Sequence, residues 1–147
     1  MINKILVATD ASPASSRAVS FAAQLSVQHE CELLIVNVIR DMQLPQELKD
    51  DPAFEAFYDS RDELMRQAAD RILTDARKLA KQQGAKDVQT AIGSGDPATS
   101  VAGFARRRKI DLIVVGTRGM SKVKAAWMGS VSRKLLDLTE INCLVVR

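Results

Sequence analysis

Residues suited to binding phosphate recur at a fixed spacing in the second half of the chain. Gly116 and Gly119 are followed, after nine intervening residues, by Gly129 and Ser130. Glycine has no Cβ, so a phosphate oxygen can approach its backbone closely. Gly129 and Ser130 open a predicted helix, whose free N–H groups and positive dipole end favour an anion. The spacing therefore predicts a phosphate-binding loop.

A second candidate loop lies near the beginning of the chain, in residues 8–12, and contains Ala8, Thr9 and Asp10. The Asp10 carboxylate can accept hydrogen bonds from ribose hydroxyls or bind a Mg²⁺ ion held by phosphates. In parallel sheets, ligands bind outside the carboxyl ends of the strands, where the strand order reverses. Both loops follow predicted strands, which makes them the two candidate halves of one site.

The elements that position these loops alternate regularly. Apolar runs predict five strands, at residues 5–8, 33–39, 88–92, 111–116 and 141–146. Helical spacing and capping residues predict helices from Pro13 to about His29, from about Leu64 to Ala80, after Asp96, and from Ser130 to Leu138. Residues 40–59 show no sustained period and are predicted to form a long surface loop or a partly ordered segment. This alternation predicts an α/β fold: one domain with an open five-stranded parallel sheet and helices on both faces.

Composition excludes several classes. The chain has 147 residues and a formal charge of +3, which is too small an excess to indicate a nucleic-acid partner. The basic run at residues 106–109 falls at a predicted helix end and complements the helix dipole. Cys31 and Cys143 lie singly in apolar runs and are predicted to be buried thiols in a reducing compartment. The sequence has no apolar segment of about 18 residues, so we expect a cytosolic protein without a membrane partner.

The glycine pattern together with Asp10 resembles the nucleotide-binding signature of the ATP-binding branch of the universal stress protein family. The resemblance extends over essentially the whole chain. It implies a Rossmann-like fold of the adenine nucleotide alpha hydrolase-like type, with strands one and four side by side. That arrangement brings Asp10 and Gly116 to one crevice. The resemblance also implies a homodimer formed through the last strand.

Site residues follow from the resemblance as expectations. It implies that Ala8, Thr9 and Asp10 lie near the ribose and phosphates, with Asp10 as the ligand of a phosphate-bound Mg²⁺. It implies that the Val38 backbone meets the adenine edge. The other implied nucleotide contacts are Val115, Gly116, Arg118, Gly119, Gly129, Ser130 and Val131. On electrostatic grounds Arg118, Lys122 and Lys124 add positive charge beside a triphosphate.

One competing pattern is rejected. Gly93, Gly95 and Ala98 satisfy a relaxed dinucleotide fingerprint, but they follow the third strand and no acidic residue occurs about 20 positions later. Asp96 and Pro97 explain them as a helix start.

The resemblance implies a stress-response regulatory module that binds ATP and is at most a slow ATPase. Two alternatives stay open: a homodimeric interaction module that needs no nucleotide, and a binder of AMP or cyclic AMP.

Overall fold

The structure is a computed structural model that describes residues 1–117 and 128–147. Its five strands are β1 (Lys4–Ala8), β2 (Glu32–Ile39), β3 (Val88–Ser94), β4 (Leu112–Gly116) and β5 (Asn142–Val146). Its α-helices within the described residues are α1 (Pro13–Gln28), α2 (Pro52–Gln82), α3 (Pro97–Arg108) and α4 (Ser130–Leu138). The predicted alternation of strands and helices in a single α/β domain is confirmed.

All strands pair in parallel, in the order β3-β2-β1-β4-β5. Ile5 of β1 pairs with Leu33 of β2 on one side and with Leu112 of β4 on the other. The chain first moves outward from β1 to β2 and β3, and then crosses back to β4. The strand order therefore reverses between β1 and β4, and the expectation that these two strands are neighbours is confirmed.

Two apolar clusters cover the two faces of the sheet. One joins α1 and α2 to one face through residues such as Ile5, Ala22 and Leu73. The other joins α3 and α4 to the opposite face through residues such as Leu6, Val101 and Leu135. The central strands are buried on both sides, which is why their sequences are almost continuously apolar.

Three helices begin at side-chain caps that the sequence displays. The Ser12 hydroxyl accepts the Ser15 N–H at 3.2 Å, Asp51 accepts the Ala53 N–H at 2.9 Å, and Asp96 accepts the Thr99 N–H at 2.9 Å. Each is followed by proline at the first helical position, where the missing N–H has no intrahelical partner to lose. These caps fix where the chain turns from each strand edge or loop into its helix.

The prediction of a loop over residues 40–59 is wrong in its second half. A short 3₁₀ turn covers Gln46–Leu48, and α2 already begins at Pro52. The start signal is Asp51 followed by Pro52, but the buried residues of α2 begin only at Ala69. With no buried face in its first turns, that part of the helix has no apolar period to detect.

Smaller differences concern β3, β4, β5 and the cysteines. β3 continues to Ser94, two residues beyond the prediction, while β4 and β5 each begin one residue later than predicted. Cys31 and Cys143 are free thiols as expected, but both are only partly buried, because each lies at a sheet margin. Partial burial still raises the pKa of both thiols, and the nearby Asp111 carboxylate raises that of Cys31 further.

Candidate functional site

The loop after β1 is held in a closed local shape around Asp10. The Asp10 carboxylate accepts the Ser12 N–H at 2.9 Å, an Asx-type turn that leads into α1. Ala11, between them, adopts a left-handed backbone with φ of 66°. The loop therefore places a half-buried carboxylate just beyond the carboxyl end of β1, directly before the first turn of α1.

Polar side chains hold this loop to its neighbours. The Thr9 N–H donates to the Val36 carbonyl at 2.9 Å, and the Asn37 side-chain amide donates to the Thr9 carbonyl at 2.8 Å. The Thr9 and Ser15 hydroxyls are 3.1 Å apart. Asn37 and Ser15 are both buried. Sequence reasoning assigned neither residue to the site.

Both residues nonetheless carry a signal. Asn37 is the one strongly polar residue inside the apolar run of residues 33–39, and Ser15 repeats the serine of the helix cap three positions later. A polar residue in a doubly covered strand must find a hydrogen-bond partner. The position of Asn37 therefore indicates a buried hydrogen bond to the neighbouring loop.

Val38 lies on β2 just beyond the end of β1. Its strand pairs with β1 only as far as Val36, opposite Ala8, whereas Val38 pairs on the other side with Gly93 of β3. The Val36 carbonyl points toward β1, because it accepts the Thr9 N–H. The N–H and C=O groups of successive residues in a strand point to opposite sides. Those of Val38, two residues after Val36, therefore point to the same side as those of Val36, past the end of β1.

The end of β4 is packed tightly against α1. A Cβ added to Gly116 would lie 2.9 Å from the Ala14 carbonyl carbon and 3.0 Å from its oxygen. The absence of a Cβ at Gly116 therefore permits close contact with the first turn of α1. This packing accounts for the glycine whether or not a ligand also contacts it. Val115, just before it, is a core residue.

The N-terminus of α4 is attached to the same strand end. The Thr117 N–H donates to the Val146 carbonyl at 2.8 Å, and the Gly129 N–H donates to the Thr117 carbonyl. Gly129 is the N-cap residue, with no side-chain cap and no acidic residue in the first turn. Ser130 is exposed and Val131 is half-buried. Uncapped N–H groups and the helix dipole make this helix start suitable for an anion.

Four of the predicted contacts, Arg118, Gly119, Lys122 and Lys124, lie outside the described residues. The structure places the remaining predicted residues at the carboxyl edges of three neighbouring strands, β2, β1 and β4, and at the start of α4.

An ion pair joins α4 to the start of α3. The Lys134 ammonium lies 3.1 Å from the Asp96 carboxylate, and the Thr99 hydroxyl donates to Asp96 at 2.7 Å. The Thr99 N–H and hydroxyl, followed by Lys134, lower the pKa of Asp96 to about 2. Asp96 is thus an ionised helix cap, which agrees with interpreting the Gly93 and Gly95 pattern as a helix start.

Residues 1–117 and 128–147 contain no helix long and apolar enough to cross a membrane. Within those residues, no group of three or more His, Cys, Asp or Glu side chains could hold a metal ion.

Comparison with known proteins identifies relatives along the full chain. The model of the universal stress protein family matches residues 1–147. The universal stress protein YxiE of Bacillus subtilis is 33% identical over 150 residues, with full coverage of both chains. The universal stress protein MJ0531 of Methanocaldococcus jannaschii is 27% identical, with coverage of 100% of this chain and 83% of that protein.

Solved structures show the same fold. UspA of Lactobacillus plantarum superposes with a TM-score of 0.80 at 24% identity, covering 99% of this chain and 98% of that one. A universal stress protein crystallised in complex with cAMP superposes with a TM-score of 0.71 at 26% identity, covering 99% and 97%. By sequence and by fold, this chain belongs to the universal stress protein family.

Proposed function

We propose that this chain binds an adenine nucleotide, ATP with Mg²⁺, where β1 and β4 end, and that it serves as a stress-response regulatory module. One observation carries the proposal. The strand order makes β1 and β4 neighbours, so the Asp10 loop, which follows β1, and the uncapped start of α4, which is bonded to Thr117 after β4, lie at the carboxyl ends of adjacent strands. Reversal of strand order at this point creates the crevice in which such sheets bind their ligands.

Each part of a nucleotide meets a suitable group. The N–H groups of Ser130 and Val131 suit the phosphates, because no side chain caps them and they lie at the positive end of α4. The Gly129 N–H already donates to the Thr117 carbonyl, so Gly129 would contribute through its missing Cβ, which lets a phosphate oxygen approach. The Val38 backbone, beyond the end of β1, can pair with the edge of adenine. Mg²⁺ keeps several waters and usually takes one or two carboxylates together with phosphate oxygens, so Asp10 suffices on the protein side.

The nucleotide itself is the finer part of the proposal. A relative crystallised with cAMP supports an adenine ligand and favours cyclic AMP or AMP as the second candidate. We expect hydrolysis of ATP to be slow at most, since groups that bind phosphates do not by themselves orient an attacking water. The proposed role is therefore that of a regulatory module that binds ATP.

We also propose a cytosolic homodimer formed through β5. The two cysteines are free, which supports a reducing compartment. β5 is an edge strand whose side chains from Cys143 to Val146 are only half-buried in the single chain. Such an edge pairs readily with a second strand.

A charge placed at the N-cap of α4 tests the phosphate site without weakening the helix. Gly129 has φ of −65° and ψ of 159°, a conformation that any residue adopts. Asp is a better N-cap than Gly, so Gly129→Asp should leave the unfolding temperature unchanged or raised. Its carboxylate would repel the phosphates, and we expect the affinity for Mg²⁺-ATP, measured by calorimetry, to fall at least about tenfold, or 1.4 kcal/mol.

Gly129→Asn is the matched control, because it has nearly the same shape without the charge. Equal affinities for the Asp and Asn variants would place the phosphates elsewhere. If the wild-type protein binds none of ATP, AMP and cyclic AMP, the proposed function is wrong. Loss of nucleotide binding with unchanged cellular activity would instead support the interaction module that needs no nucleotide.

A further inference from the structure

We infer that Thr9, Ser15 and Asn37 form a buried hydrogen-bonded network that holds the Asp10 loop in its binding shape, which makes them positioning residues for the Mg²⁺-nucleotide. The inference rests on the proposed function as far as the ligand is concerned. The network itself rests on the hydrogen bonds of the described residues.

Asn37 replaces a missing backbone partner. β1 ends at Ala8, so the carbonyl of Thr9 lies beyond the regular ladder between β1 and β2. The Asn37 side-chain amide donates to that carbonyl at 2.8 Å, while the Thr9 N–H still donates to Val36. Thr9 is thereby fixed on both sides of its α-carbon, which sets the direction in which the chain enters Asp10.

Ser15 connects the loop to α1. Its hydroxyl donates to the Ser12 carbonyl at 3.0 Å and accepts the Asp10 N–H at 3.3 Å. Because its single proton is used on Ser12, the 3.1 Å contact with Thr9 requires the Thr9 hydroxyl to be the donor. The Thr9 oxygen in turn accepts the Ala11 N–H at 3.3 Å. One orientation of the hydroxyl protons therefore satisfies both the Thr9 and the Ser15 hydroxyl.

Burial makes the network sensitive to the loss of any member. Thr9, Ser15 and Asn37 are exposed by 6%, 5% and 7%. A buried donor or acceptor left without a partner is costly, and networks of this kind fix a single local conformation. The left-handed backbone of Ala11, unusual for a residue with a Cβ, is held between these bonds.

Three variants and one control test the inference. Ser15→Ala removes the hydroxyl, Asn37→Leu removes the amide at similar size, and Ser15→Thr keeps the hydroxyl. Ser26→Ala is the matched control, because Ser26 lies on the same helix, is 4% exposed and donates to the Ala23 carbonyl at 2.8 Å, near the opposite end of α1. Calorimetry would measure the affinity for ATP with Mg²⁺ and with EDTA.

Ser15→Ala and Asn37→Leu are each expected to weaken Mg²⁺-ATP binding about tenfold. Binding in EDTA should weaken less, because the displaced group is the carboxylate that meets Mg²⁺. Ser15→Thr and Ser26→Ala should bind as the wild type does. Unchanged Mg²⁺-ATP affinity in folded Ser15→Ala and Asn37→Leu, or equal weakening with Mg²⁺ and with EDTA, would overturn the positioning role.

Amide hydrogen exchange decides the structural part without any ligand. We expect the Asp10 and Ala11 amides to exchange at least about tenfold faster in Ser15→Ala, and at the wild-type rate in Ser26→Ala. Unchanged exchange in Ser15→Ala would refute the network. Faster exchange in a protein whose wild type binds no nucleotide would refute the proposed function and leave the network standing.

Discussion

Gly116 and Gly129 belong to one spaced pattern, yet their surroundings in the fold differ. Gly116 has backbone atoms of Ala14 where its Cβ would lie, whereas Gly129 has an ordinary extended backbone at the start of α4. The sequence displays their spacing but cannot separate these roles. The contact with Ala14 joins residues about 100 positions apart, and only the packing of α1 on β4 brings them together.

Gly116→Ala is therefore expected to destabilise the fold by roughly 1–3 kcal/mol, the usual cost of overpacking a tight contact. Gly103 provides the contrast: it is inside α3, and a Cβ there would meet only the flexible Arg107 guanidinium. Gly103→Ala should raise the free energy of unfolding by about 0.5–1 kcal/mol, because alanine is the better helix former. Urea unfolding measures both, and equal effects would contradict the assignment of Gly116 to close packing.

Helix α2 shows that an element can be long without being packed along its length. Only Ala69, Leu73, Ala76 and Ala80 of its 31 residues are buried. Before Ala69 the helix has aromatic residues that are not buried in the core. The rings of Phe54 and Phe57 contact each other edge to face, with their centroids 5.9 Å apart, and the Tyr58 hydroxyl donates to the Met42 carbonyl at 3.4 Å. Most of the fold was predictable because strands and packed helices display their periods. The first turns of α2 were not, because they have no buried face.

Two leucines of α2 should thus respond very differently to truncation. Leu73 is 4% exposed and Leu64 is 65% exposed. Leu73→Ala should cost about 2–5 kcal/mol, as for other buried leucines, and Leu64→Ala less than about 0.5 kcal/mol. Thermal or urea unfolding would show the difference. A large loss in Leu64→Ala would mean that the first half of α2 is covered in solution.

The link between α3 and α4 predicts a pH dependence. The pKa of Asp96 is lowered to about 2 in the folded chain, against about 3.9 in an unfolded one. A carboxylate with a lowered folded pKa stabilises the fold above its unfolded pKa, and this contribution disappears as the pH falls through its folded pKa. The stabilisation by Asp96 is therefore expected to be complete above about pH 5 and to be lost between about pH 4 and 2.

Asp96→Asn isolates this effect, because asparagine still caps a helix but does not titrate. The wild type should be the more stable protein above about pH 5, with a difference that shrinks toward about pH 2. Unfolding curves of both proteins across this range measure it. A constant difference would show that the ion pair and cap do not depend on the charge of Asp96.

At the scale of the whole molecule, the sheet has β3 and β5 at its two lateral edges and the candidate site at the carboxyl ends of its central strands. The apolar runs allowed the α/β class to be predicted, and the family resemblance implied that β1 and β4 are neighbours. It did not reveal Asn37 or Ser15 as supports of Asp10, since their partners are fixed only when β2 and α1 meet the end of β1. The local sequence pattern therefore predicted the two loops, whereas the residues that hold the Asp10 loop are recognised only from tertiary contacts.

The open edge of β5 gives the proposed homodimer a test at a single backbone position. Val146 directs its carbonyl toward β4, since it accepts the Thr117 N–H. Backbone direction alternates along a strand, so Val145 directs its N–H to the open edge, whereas Leu144, paired with Val114, faces β4. Proline is tolerated at an edge where its missing N–H would face outward.

Val145→Pro should therefore keep the fold and yield a monomer, while Leu144→Pro should unfold β5 from the sheet. Light scattering would give the mass at micromolar concentration, and circular dichroism would confirm that the Val145→Pro variant is folded. A folded Val145→Pro variant that remains dimeric would place the interface elsewhere. A monomeric wild type would exclude the homodimer at that concentration. Nucleotide binding should persist in the monomer, because each residue assigned to the site comes from one chain.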